Sequence, residues 1–146
     1  MLENKKYVEI TSNGHKIKIN RSGIIGHGNP IESGEAPDIT KLNELRRFIN
    51  SNFIICDGVN RKIPSNFLRY TYRHATGNDI QRGEFIYAMH LEGYDIYPVK
   101  EGSIFCYFNY DEAKFWAQME YHYPKLASQY RSSYGSDYDL VTPNYL

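Results

Sequence analysis

Phe67-Leu68-Arg69-Tyr70-Thr71-Tyr72-Arg73-His74 is the stretch on which the fold turns. Read with a period of two, it places Leu68, Tyr70 and Tyr72 on one face and Arg69, Thr71 and Arg73 on the other, which predicts a half-solvated β-strand. Ala75-Thr76-Gly77-Asn78-Asp79 then supplies a turn. Glu84-Phe85-Ile86-Tyr87-Ala88-Met89-His90-Leu91 resumes as a second strand, with a composition that also permits a helix. On this reading the middle of the chain is sheet and the helices flank it.

Upstream, Lys6-Tyr7-Val8-Glu9-Ile10-Thr11 and His15-Lys16-Ile17-Lys18-Ile19-Asn20 alternate around Asn13-Gly14, a pair suited to the positive φ angles of a tight hairpin turn. From Ser22 to Pro37 the chain carries Gly23, Gly26, Gly28, Pro30, Gly34 and Pro37, which predicts a long irregular connection. The glycine spacing there matches neither a dinucleotide fingerprint nor a P-loop. Asp38 or Thr40 can cap a helix running to about Asn50, with Ile39, Leu42, Leu45, Phe48 and Ile49 repeating along its inner face. Phe53-Ile54-Ile55-Cys56 reads as a short buried strand closed by Asp57-Gly58.

Downstream, residues 94–99 and 103–108 flank Lys100-Glu101-Gly102 as a hairpin, with Pro98 marking an edge strand and the apolar second strand central. Asn109 stands three residues before Glu112, a capping-box spacing. The helix that follows ends at Pro124, and Ala113, Phe115, Trp116, Ala117 and Met119 give it a buried circumference. The expected fold is α+β, a mainly antiparallel sheet of about five to six short strands with two principal helices near 39–50 and 110–123. A single domain covers 1–126. Residues 127–146, rich in serine and tyrosine but poor in aliphatics, cannot fill a core and form an arm, either mobile or ordered against the domain or a partner. A last short strand is expected at Leu140-Val141.

Thirteen of the 14 tyrosines follow residue 69. Charge divides at the same place, with 11 basic and 7 acidic residues before position 70 and 6 and 10 after it, so a half of +4 faces a half of −4 in a neutral chain. That balance argues against broad binding to duplex nucleic acid, which rests on neutralising many phosphates. Cys56 and Cys106 have apolar neighbours and read as small core hydrophobes rather than a disulfide pair. Neither they nor the 5 histidines show the ligand spacing of a structural zinc site, so no metal and no cofactor is expected. A Cys106 nucleophile assisted by His122 or His90 is opposed by apolar surroundings, which raise a thiol's pKa. No apolar run approaches the roughly 18 residues of a membrane span and the chain's start lacks the apolar stretch of a signal peptide, so a soluble, cytoplasmic protein is expected.

Tyrosine suits contact surfaces because a large apolar ring carries a polar tip. The leading expectation is therefore a small binding or inhibitory protein that engages a macromolecular partner, a protein before a nucleic acid, through a tyrosine-rich acidic surface, as a monomer or a homo-oligomer. The candidate binding residues are Arg69, Tyr70, Tyr72, Arg73 and His74 on the central strand and Tyr130, Tyr134 and Tyr138 in the arm. Two guanidinium groups on one strand face also suit a phosphate or carboxylate. Tyr72-Arg73-His74, then Cys106-Tyr107-Phe108-Asn109 running into a helix from Asp111, then Asp137-Tyr138-Asp139, resembles the motif order of ADP-ribosyltransferases. The resemblance implies an NAD-handling enzyme in which Arg73 grips phosphate and Asp139 or Glu120 acts near the ribose. Asn109 stands where that family has Ser or Thr, Asp139 where it has Glu, and residues 1–60 are not covered. A single-stranded nucleic-acid binder, stacking bases on tyrosines with Arg69 and Arg73 on phosphates, is the third class, disfavoured by the zero net charge.

Overall fold

In the computed structural model, which describes residues 6–25 and 34–134 with side chains as far as Gln129, the first hairpin forms as its turn chemistry dictates. Val8–Ser12 (β1) and His15–Asn20 (β2) pair antiparallel with Ile10 opposite Ile17. Asn13 and Gly14 take φ of 54° and 78°, the left-handed pair that matches the twist of the strands. Ile10, Ile17 and Ile19 face inward while Glu9, Lys16 and Lys18 stay exposed. Gly23–Ile25 (β3) then adds a third strand, Ile19 opposite Ile24, inside the stretch expected to be irregular. Residues 26–33 of that stretch lie outside the described residues.

Asp38 is the expected cap, its carboxylate accepting from the Thr40 amide at 3.0 Å, but it starts a short 3-10 turn, Ile39–Lys41, that leads into a helix at Leu42–Asn52 (α1). Leu42, Leu45, Phe48 and Ile49 are buried at the predicted spacing; Ile39, in the turn, is 61% exposed. Ile55–Asn60 (β4) continues through Asp57-Gly58 instead of ending there, and it is an outer strand rather than a buried one.

The decisive correction is at the centre. Both expected strands are helices, Ser65–Thr76 (α2) and Arg82–Leu91 (α3). In α2 the buried residues include Phe67, Leu68, Thr71 and Tyr72, a helical set, because the Thr71 hydroxyl donates to the Leu68 carbonyl at 2.6 Å and can therefore enter the core. A period of two treats Thr71 as solvated and Tyr70 as buried; Tyr70 is half-buried beside Arg69. Helix α3 begins with a reciprocal capping box between Gln81 and Glu84, a sequence signal present three residues apart.

Ile96–Pro98 (β5) and Cys106–Tyr110 (β6) make the second predicted hairpin, with Tyr97 opposite Tyr107, and β6 is central in the order β4-β6-β5. The six described strands thus form two antiparallel three-stranded sheets, not one. The sheets meet where the Ile96 amide donates to Ser12 Oγ at 2.8 Å and the Ile24 amide to the Ile104 carbonyl at 3.2 Å. Glu112–His122 (α4) is capped by Asp111, whose carboxylate accepts from the Lys114 amide at 3.0 Å; Asn109 instead lies in β6 and accepts from the Asp95 amide at 2.8 Å. Phe115, Trp116 and Met119 are its buried face, whereas Ala113 and Ala117 are exposed. Pro124–Tyr134 (α5) follows at once and crosses positions 126–127, with Ala127 fully buried. Leu140-Val141 lies outside the described residues.

The core is aromatic. Phe53 lies 4.7 Å from Phe115, 5.3 Å from Tyr110 and 6.3 Å from Tyr94 between ring centroids, and Phe48 lies 5.1 Å from Tyr72. Tyr72, Tyr94 and Tyr110 are thus framework, each exposed by 5% or less, so part of the tyrosine enrichment after residue 69 packs the interior.

Candidate functional site

Helix α2 brings four of the expected binding residues to one side and sends the fifth away. Arg69 donates from Nη1 to the Ile80 carbonyl at 3.0 Å, approaches Asp79 at 3.7 Å and lies over the Tyr70 ring at 5.0 Å. Tyr70 in turn sits 5.9 Å from the His74 ring, and Arg73 and His74 are exposed. Burial lowers the Arg69 pKa; Tyr70 and Asp79 oppose that, and the charges of Arg82 and Arg73 add to it. Tyr72 points inward to Phe48. Tyr130 and Tyr134 lie one turn apart in α5, and Tyr138 falls outside the described residues.

The feature that composition did not reveal is β4. Ile55 pairs with Tyr110 and Asn60 with Phe108, so four residues, Cys56 to Val59, span the distance that Asn109 alone spans in β6. The extra residues arch away from the sheet. Both feet of the arch are tied down. The Ile54 carbonyl accepts from the Asp111 amide at 2.9 Å; Asn60 Oδ1 accepts from the amides of Lys62 and Ile63 at 2.8 and 3.2 Å, while its Nδ2 donates to Glu112 at 3.1 Å. Within the arch, the half-buried Cys56 thiol donates to the Gly58 carbonyl at 3.1 Å.

Ile54 and Ile55 enter this arch 43% and 48% exposed, and Leu91, at the end of α3, is 37% exposed. Ile55 reaches that neighbourhood, since a Cβ on Gly93 would lie 3.4 Å from Ile55 Cδ1. A hollow of about 370 Å³ runs along the arch, bordered by Val59, Arg61, Lys62 and Glu112. Beneath it the Tyr110 hydroxyl is buried without a hydrogen-bond partner among the described residues. Burial raises the pKa of Tyr110 and of Tyr94, so both stay neutral under the strand.

Among the described residues no group of three His, Cys, Asp or Glu side chains is placed to hold a metal, and no helix is long and apolar enough to cross a membrane. The Cys106 thiol is fully buried and its pKa is raised far above the usual thiol range by burial, the state of a packing residue rather than a nucleophile.

The chain matches no family model, no curated protein and no solved structure. Arg73 stands on a helix rather than a strand, Asn109 is engaged with Asp95, and Asp139 lies outside the described residues.

Proposed function

We propose that this protein is a binding module for a protein partner and that the arch of β4, with Ile54, Ile55 and Leu91, is its contact surface. The observation that carries the reading is the pair of adjacent isoleucines left 43% and 48% exposed on an outer strand that also forgoes pairing for four residues. Exposing two large aliphatics and unpairing a strand both cost free energy, and a chain accepts such local violations chiefly where they serve contact. Asp57 and Gly58 at the crest are exposed, and the anchored feet limit how much order is lost on docking. The tyrosines Tyr130, Tyr134 and Tyr138 belong to the same reading through composition alone, tyrosine being enriched where proteins touch.

Native mass spectrometry of the protein purified from its own cells, beside an Ile54→Asp, Ile55→Asp double variant, tests the proposal. The parent is expected to carry a stoichiometric protein adduct or a second copy that the variant lacks, with superimposable circular dichroism spectra. A parent that runs as a bare monomer, or a variant that keeps the adduct, would refute it.

A further inference from the structure

The seam between the two sheets opens into a cleft of about 740 Å³, and strand alternation decides which side chains turn toward it. In β2, Ile17 and Ile19 enter the core, so Lys16 and Lys18 stand exposed on the other face. Glu9 of β1 lies directly across from Lys18 and diagonal to Lys16. In β5, Ile96 is buried and Tyr97 turns outward, half-buried. Exposed Arg61, Lys100 and Glu101 complete the charged lining, four cations to two anions, a surplus of +2. These cations come from the first hairpin, the end of β4 and the turn after β5. The chain as a whole is neutral, but this face is basic.

Tyr107 of β6 pairs with Tyr97, and the two share the face opposite the fully buried Cys106 and Phe108. The Arg61 guanidinium lies over the Tyr97 ring at 6.0 Å from its centroid. Tyr107 stands on the central strand, half-buried, and makes no ring stack, cation contact or side-chain hydrogen bond with the described residues. A single strand of nucleic acid presents what such a face can take: unpaired bases that stack on aromatic rings, and phosphates repeated along a backbone. Cations at separate positions then meet separate phosphates. A duplex hides its bases, and an acidic peptide brings carboxylates without rings for the two tyrosines. We infer that the outer face of β5 and β6, with the cleft beside it, binds single-stranded nucleic acid. Bases stack on Tyr107 and Tyr97, and the backbone follows Lys16, Lys18, Arg61 and Lys100. Ile54, Ile55 and Leu91 do not line this cleft, so the site is distinct from the proposed protein contact.

Fluorescence anisotropy of a labelled deoxythymidylate decamer at low salt tests this, with unlabelled decamer, a duplex of the same length and poly-L-glutamate as competitors. The decamer is expected to saturate and to bind more weakly as salt is added. Duplex and polyglutamate should each compete at least about tenfold less well than the decamer, since neither offers bases for stacking. Lys16→Ala, Lys18→Ala and Arg61→Ala together should weaken binding by about tenfold or more and flatten its salt dependence. Only exposed side chains change in that triple variant, so it remains a test even where truncating Tyr107 unsettles the sheet. Tyr107→Ala should weaken binding about fivefold or more and Tyr107→Phe should retain it, because stacking needs the ring and not the hydroxyl. Lys114→Ala, on the exposed side of α4, should leave it unchanged. No saturation by the decamer or by an oligouridylate at protein concentrations up to about 100 μM overturns the inference. So does duplex or polyglutamate competing as well as the decamer, or parental affinity in either the triple variant or a folded Tyr107→Ala protein.

Discussion

Replacing Gly83 by alanine is expected to destabilise the protein although the site is the first turn of a helix, where the exchange ordinarily helps by up to about 1 kcal/mol. The reason is the approach of α3 to the turn after β2. A Cβ on Gly83 would stand 1.5 Å from the Asn20 carbonyl oxygen, 2.7 Å from the carbonyl carbon and 3.0 Å from the Arg21 carbonyl carbon. Restoring ordinary contact requires a shift of roughly 2 Å between two backbones. Neither can yield easily, because Asn20 is fully buried and Phe85, Ile86 and Met89 anchor α3 in the core. The displacement also breaks the Gly83 amide's hydrogen bond to the Arg21 carbonyl, at 2.8 Å, and disturbs Arg21 against the buried Glu84 at 3.4 Å. Overpacking costs about 1–3 kcal/mol and the lost hydrogen bond about 1 kcal/mol, so with the helix-propensity gain of up to about 1 kcal/mol subtracted the net is about 2 kcal/mol destabilising. For a chain of this length that corresponds to a melting temperature lower by about 7 °C. Urea unfolding followed by circular dichroism measures it, with Gly58→Ala as the control, since a Cβ there meets nothing within 4 Å. A Gly83→Ala protein as stable as the parent would show that the contact between α3 and the β2–β3 turn is not as close as described.

The remaining expectations concern titratable groups. With a thiol reagent at neutral pH, Cys56 should react in the folded protein and Cys106 only after denaturant is added, because the latter is fully buried; two equally fast thiols would contradict the packing of β6. Burial raises the pKa of Tyr72, Tyr94 and Tyr110 above the ordinary tyrosine value of 10.0, so above that pH the unfolded chain releases these protons while the folded one keeps them. The stability they contribute is therefore complete below pH 10 and falls as pH rises beyond it. Absorbance titration of phenolate should show part of the tyrosine signal appearing only together with loss of helical circular dichroism. A smooth ionisation of all tyrosines with the fold intact would refute their burial.

What was legible in the chain was what short-range chemistry decides. Asn13-Gly14 permits few turns other than the one it makes, Lys100-Glu101-Gly102 closes the hairpin whose edge Pro98 marks, and Leu42, Leu45, Phe48 and Ile49 can bury together only as a helix. Glu84, three residues after Gln81, was an equally local signal for α3, outweighed by a β-rich composition. Residues 67–74 carry two periodicities at once. Which one prevails depends on whether Thr71 can be buried, and that follows from the Leu68 carbonyl it finds three residues earlier in its own helix and from the partners that α2 meets.

The sites depended still more on distant parts of the chain. Arg69, Tyr70, Arg73 and His74 were recognisable as residue types, but a strand would have divided them between two faces and the helix gathers them on one side. The arch of β4 exists because its two ends pair with β6, some fifty positions later, in a register that leaves Cys56 to Val59 unmatched. Likewise Gly83 is favoured over a larger residue only because α3 docks on Asn20. Turn geometry and side-chain period act over a few residues and are written in order along the chain. Which backbones meet, and which surfaces they leave open, is settled by closing long loops around a shared core, and no local pattern carries that information.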